Sequence, residues 1–248
     1  MVNDSFDSVF KDVNRVLVVM PHPDDCELFC GGTVARLIES GKEVRVIKMT
    51  SGEKGCKQEK IDPVELKKIR EEEDRNGMKI LGVSEDNNIY LDLGDGELEA
   101  DMKTIGVVAK EIRTFKPELI ITTNAEDVII RYDKDINWVN HRDHINTGKA
   151  VIYASYPYAR DLSFFPEQLK DGSITSHTCT KFLISDSYNH PDKVLIDVTN
   201  QIDKRIKAHA SHSSQYSLKK AQDSADFFTV KSEYNGKRYE EFRYVLVD

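Results

Sequence analysis

No apolar run in the 248-residue chain approaches the roughly 20 residues that a membrane helix needs, so no membrane span is expected. Positive charge is also short. The 35 Lys and Arg against 43 Asp and Glu leave a net −8, which argues against nucleic acid or anionic lipid as a partner, because both reward an excess of cations. Cys26, Cys30, Cys56 and Cys179 form no CxxC pair. That excludes a zinc ribbon and a stapled secreted scaffold, and leaves four reduced thiols. Met1 to Asn14 lacks the basic start and continuous apolar stretch of a secretory signal, which predicts a cytoplasmic location. No Gly-x-Ser-x-Gly elbow is present, and Cys26 stands beside carboxylates that raise a thiol's pKa, so nucleophilic catalysis is disfavoured and Cys26 reads as structural.

What remains is a globular composition, 39% hydrophobic and 31% charged, in a length that suits one α/β domain over residues 1–248. Arg15 to Met20 is a short run rich in Val, as in a strand buried on both faces of a parallel sheet. After a loop, Gly31 to Ser40 reads as a helix stopped by Gly41, and Val44 to Met49 as a second strand, which completes a βαβ unit. The pattern continues with a charged helix from Pro63 to Leu81, a short strand at Asn88 to Leu91, a helix from Asp101 to Phe115 and a strand at Leu119 to Thr123. A polar loop spans Asn124 to Asn140, and a helix spans His141 to Tyr156. Strands at Lys181 to Ser185 and Val194 to Asp197, a helix from Thr199 to His212 and a strand within Tyr239 to Val247 follow. Ser213 to Lys237 reads as a polar surface connection or lid. The fold class is therefore α/β and Rossmann-like: a mostly parallel sheet with helices on both faces and a few appended C-terminal strands.

The densest chemistry is Pro21-His22-Pro23-Asp24-Asp25-Cys26-Glu27, directly after the first strand. In an open α/β sheet that is the carboxyl edge, where ligands bind. Ionisable groups crowded there are costly unless a cation or hydrogen bonds satisfy them, and imidazole with carboxylate suits zinc. A second cluster, Asn140-His141-Arg142-Asp143-His144, follows the strand at Leu119 to Thr123; if it opens a helix, His141 and His144 share one face. Either string by itself also reads more blandly, the first as a proline-fixed turn and the second as a helix start with Asp near the positive dipole end. Together, after two parallel strands, they favour a metal site. His177 and His190 have no partner at metal spacing and read as surface histidines.

These strings, with Gly31-Gly32-Thr33, Thr50-Ser-Gly-Glu-Lys-Gly55, Arg70-Glu-Glu-Glu73, Leu81-Gly82, His212-Ser-Ser-Gln215 and Glu241-Phe242, resemble the LmbE/PIG-L family of N-acetylglucosaminyl deacetylases across nearly the whole chain. Cys26 and Arg142 depart from residues common in that family without touching the candidate ligands. The resemblance implies His22, Asp25 and His144 as ligands of zinc, with iron(II) an alternative, and Asp24 as the general base toward a zinc-activated water. It further implies His141 as oxyanion stabiliser or proton donor, oriented and kept protonated by Asp143. Arg70 matches an active-site arginine of some members, and His212 matches a family position near the site. Glu53 lies in a loop at the right sheet edge, and Trp138, like Tyr132, either stacks on a sugar ring or anchors its loop.

The implied reaction removes acetyl from an N-acetylglucosamine-type conjugate, a small-molecule amino sugar. The alternatives are a zinc amidase acting on a larger acyl group, a silent sugar-binding module and a metallophosphoesterase. The aglycone and the oligomeric state, homo-oligomer included, stay open.

Overall fold

The computed structural model describes residues 2–55, 61–170 and 172–247; Cys56 lies outside them. In chain order the elements are α1 (Phe6–Phe10), β1 (Arg15–Met20), α2 (Asp25–Glu39), β2 (Glu43–Lys48), α3 (Pro63–Leu81), β3 (Asn88–Tyr90), α4 (Met102–Phe115) and β4 (Leu119–Thr122). They continue with β5 (Ile129–Arg131), β6 (Asn137–Val139), α5 (Arg142–Tyr153), β7 (Lys181–Ile184), β8 (Lys193–Asp197), α6 (Ile202–Ala210), α7 (Leu218–Thr229) and β9 (Tyr239–Leu246).

Seven strands form one sheet in the order β3-β2-β1-β4-β7-β9-β8. The first five run parallel, and β9 pairs antiparallel with both β7 and β8. Side chains along β1 alternate between two cores, as strand geometry requires. Val16, Val18 and Met20 pack with residues of α1, α2, α3 and α6, while Leu17 and Val19 pack with α4 and α5. The expected fold class is thus the observed one. Because β1 is followed by β2 on one side and joined by β4 on the other, the order reverses between β1 and β4, and that is where such a sheet opens a crevice at its carboxyl edge.

The charged helix begins and ends as expected at Pro63 and Leu81. Asp62 caps it by accepting from the Val64 and Glu65 N–H groups, and Gly82 closes it in the left-handed region at φ 95°. Three expectations need correction. The second helix starts at Asp25 rather than Gly31, since Asp25 and Glu27 suit its positive end and Cys26 and Cys30 are buried, so the preceding loop is only four residues long. The polar segment Asn124 to Asn140 contains a hairpin, β5 with β6, whose three-residue strands are too short to show alternation. Ser213 to Lys237 is no mere connection: it holds α7, whose buried stripe is only Ala221, Ala225 and Thr229, too small to register as an apolar face. At the start of the chain, α1 buries Phe6, Val9 and Phe10.

Candidate active site

Five parallel strands end on one edge, and the segments that follow β1, β2, β3, β4 and β7 carry the polar residues that meet there. After β1 the chain turns within Pro21 to Asp24 and enters α2, which places His22 and Asp25 three residues apart around the helix start. The His22 N–H donates to Asp25 Oδ2 (2.9 Å), and His22 Nδ1 lies 3.0 Å from the same oxygen. After β4, α5 carries His144 in its first turn. Thr123 Oγ1 donates to the His144 carbonyl (2.7 Å), and a Cβ at Gly148 would stand 2.4 Å from the Thr123 carbonyl oxygen. Only glycine lets α5 come this close to the end of β4, and that approach brings His144 Nε2 to 3.4 Å from Asp25 Oδ1.

The His22 and His144 ring centroids are 5.5 Å apart. One donor atom each from His22, Asp25 and His144 falls within 4.8 Å of the other two. The close contacts run to different oxygens of Asp25, His22 Nδ1 to Oδ2 at 3.0 Å and His144 Nε2 to Oδ1 at 3.4 Å, so the carboxylate stands between two imidazoles, a donor set that suits zinc. The charge balance suits it too. His22 Nε2 faces Asp95 Oδ1 and Asp143 Oδ2, each at 3.2 Å, so three carboxylates converge on one ring. Burial lowers the basicity of His22, but Asp143, Asp25 and Asp95 together raise it well above its ordinary value. Burial pushes the Asp25 carboxyl up, yet His144 and His22 hold it well below the usual carboxylate range. Such a set calls for positive charge, which a divalent cation supplies. Carboxylates behind a metal-binding imidazole also fix its ring and leave Nδ1 free to bind.

Asp24 sits between Pro23 and α2 with φ 104° and ψ −28°, a left-handed conformation rare outside glycine, and makes no capping bond. It is 8% exposed. Burial raises its pKa to about 6 against the opposing pull of Arg70, whose Nη2 donates to Asp24 Oδ2 at 2.9 Å. A carboxylate titrating there is suited to proton transfer near neutrality.

The structure redistributes several expected roles. The Asp143 carboxylate lies within 4.8 Å of His141 but its hydrogen bonds go elsewhere: Oδ2 faces His22 and accepts the Gly96 N–H, while the Asp143 N–H donates to His141 Nδ1 at 3.2 Å. Burial lowers the pKa of His141, so it is not held protonated. His141 caps α5 and remains exposed beside His22, with ring centroids 5.0 Å apart. Arg70, expected at the substrate, is 4% exposed and turned toward Asp24. Glu53 accepts the Asp95 N–H (2.9 Å) and so fixes the segment after β3 rather than standing free. Trp138 packs among Tyr132, Tyr188, Phe227 and Phe228, where it anchors the hairpin to α7. His212, expected near the site, is wholly buried and bonded to Glu27 at 2.9 Å.

Two residues at this edge escaped the sequence reading. Asp95 follows β3 between Gly94 and Gly96, and its place after a parallel strand was the available signal. Asp186 follows β7 with φ 55°, is buried near His144 and donates nothing, accepting instead from Tyr188 Oη at 2.9 Å; burial raises its pKa to about 6.

Residues 17–155 match the family model described as PIG-L: GlcNAc-PI de-N-acetylase. A diacetylchitobiose deacetylase from Thermococcus kodakarensis is 29% identical over 211 residues, 84% of this chain and 72% of that protein. The solved N,N'-diacetylchitobiose deacetylase of Pyrococcus horikoshii is similar at a TM-score of 0.81 and 26% identity, covering 97% of this chain and 87% of that one. The 4-carboxy-2-hydroxymuconate hydratase GalB from Pseudomonas putida KT2440 is similar in fold at 0.74 with 20% identity, covering 95% and 97% of the two chains. A shared fold thus carries more than one reaction, and the site must decide.

Proposed function

The chain belongs to the PIG-L family, and from that premise we propose that it hydrolyses the N-acetyl group of an N-acetylglucosamine-type sugar conjugate, releasing acetate and the free amine. The observation that carries this reading is the convergence of His22, Asp25 and His144 beside the buried carboxylate of Asp24. The similar Thermococcus and Pyrococcus proteins are named for diacetylchitobiose, which supports an acetamido sugar as substrate.

His22, Asp25 and His144 would hold zinc, with iron(II) compatible with the same donors. When bound, such a cation polarises the acetamide carbonyl and lowers the pKa of water to about 7. Asp24 takes the proton of the attacking water as the new C–O bond forms. His141 accepts at Nδ1 from the Asp143 N–H, so its neutral ring carries hydrogen on Nε2. That group donates a hydrogen bond to the oxyanion, and Asp24 hands the proton taken from water to the departing nitrogen as the C–N bond breaks. Asp95 and Asp143 keep the His22 ring in its binding orientation.

The test is amine and acetate release over a panel of N-acetylated sugars. Activity is expected to vanish with a chelator and return with zinc. Asp24→Asn should lower kcat by about 10²- to 10⁴-fold with zinc content intact. Release of a larger carboxylic acid instead of acetate would give the alternative amidase reading, and indifference to chelation would sink the metal-dependent one.

A further inference from the structure

Arg70 lies on α3, 46 residues from Asp24, yet among the described residues its guanidinium is the cation that pairs with that carboxylate. Nη2 donates to Asp24 Oδ2 at 2.9 Å and also to the Pro23 carbonyl; Nη1 donates to the Gly52 carbonyl at 2.9 Å. One planar group thus ties the turn after β1 to the loop after β2. Among the described residues Nε has no partner, and the side chain is buried.

The seat under the guanidinium is made of glycine. A Cβ at Gly52 would lie 2.0 Å from Arg70 Nη1, and one at Gly55 would lie 2.7 Å from the same atom. Either methyl would displace the group. Gly52 also holds φ 63°, which favours glycine in any case, whereas Gly55 has no positive φ and its lack of a side chain serves the guanidinium. The clamp also addresses a conformational cost. Asp24 holds φ 104°, a region unfavourable to a non-glycine residue that persists only when its surroundings over-determine it. Bonds from Arg70 to both the carbonyl before Asp24 and its carboxylate do so.

We propose that Arg70, seated on Gly52 and Gly55, is a positioning residue that holds Asp24 in its left-handed turn and aims its carboxylate, rather than a contact to substrate. The proposal rests on the reading of Asp24 as the base. Lysine is a poor substitute, because a point charge does not span Pro23, Asp24 and Gly52 in one plane.

The experiment compares wild type, Arg70→Ala, Arg70→Lys and Gly55→Ala by crystal structure without metal, by zinc content and by steady-state kinetics on an acetamido sugar that the wild type cleaves. In Arg70→Ala the Asp24 backbone is expected to leave the left-handed region and its carboxylate to move. Zinc should stay stoichiometric and KM should stay within about twofold, while kcat falls about 10²-fold, the cost of misplacing a reacting group by about 1 Å. Gly55→Ala should show the same kcat loss with Arg70 displaced, and Arg70→Lys an intermediate one. Millimolar guanidinium should restore part of kcat to Arg70→Ala and none to the Asp24→Asn, Arg70→Ala double variant. An Asp24 that stays in place in Arg70→Ala overturns the proposal whatever the activity. So does a tenfold rise in KM at constant kcat, which would make Arg70 a substrate contact. If the wild type cleaves no acetamido sugar, the functional reading fails, and the crystal comparison still decides the role of Arg70.

Discussion

Two clusters of histidine and carboxylate lie within the same domain face, and they resolve the same electrostatic problem in opposite ways. Around His22, Asp25 and His144 the histidine side chains keep 12% exposure. No lysine or arginine among the described residues makes an ion pair with Asp25, Asp95 or Asp143. Around Glu27, Asp74 and His212, donor atoms also fall within 4.8 Å, but the side chains are fully buried and their charges already answered. Lys48 Nζ lies 2.9 Å from Asp74, which also accepts from Tyr90 Oη and Asn88 Nδ2. Burial lowers the pKa of His212, but Glu27, Asp24 and Asp74 raise it to about 9, so it serves as a second cation. Ligand type and spacing are alike in the two places. What differs is the partner of the carboxylates: Lys48 pairs with Asp74, whereas among the described residues Asp25, Asp95 and Asp143 form ion pairs only with histidines, an arrangement that a bound cation would complete.

Three variants bear on this contrast, the most disruptive first. His144→Ala should strip zinc at stoichiometric concentrations and abolish activity, whereas His212→Gln should keep the metal; equal losses in a metal titration would erase the distinction between the clusters. Lys48→Met leaves Asp74 buried beside one cation fewer and should cost about 3–5 kcal/mol of stability in denaturant unfolding. A cost under about 1 kcal/mol would mean that Asp74 does not depend on it. The smallest effect is a pH slope. Because the folded pKa of His212, about 9, exceeds its ordinary 6.5, its stabilisation is complete below pH 6.5 and is lost as pH rises through 9. It amounts to roughly 3 kcal/mol, so metal-free wild type should weaken more steeply across that window than His212→Gln, in which His22 still contributes a slope of the same sign.

Much of the architecture was legible because local pattern carries it. Val-rich β1, the Asp62 cap with Gly82 stop of α3, and the strand-then-histidine order at β1 and β4 each follow from a few neighbouring residues. The hairpin at Ile129 to Val139 and the helix at Leu218 to Thr229 were not legible, because what holds them is a shared aromatic cluster, Tyr132 and Trp138 against Phe227 and Phe228, assembled from segments about 90 residues apart. The same limit applied at the site. The His22-to-Glu27 and His141-to-His144 strings stood out as residue types after parallel strands, and the family resemblance picked His22, Asp25 and His144 from them, whereas Asp95 looked like any loop aspartate, and Arg70 and His212 looked accessible.

By itself the sequence determined the element order, the mostly parallel sheet and the two segments brought to its carboxyl edge, since periodicity and strand topology are properties of short stretches and simple chirality. Tertiary structure alone decided that Asp143 backs His22 rather than His141, that Arg70 clamps Asp24 on a glycine seat, and that His212 is sealed against Glu27. Those partnerships depend on how helices settle on the sheet to within an ångström, and such distances are fixed by packing against every neighbour at once.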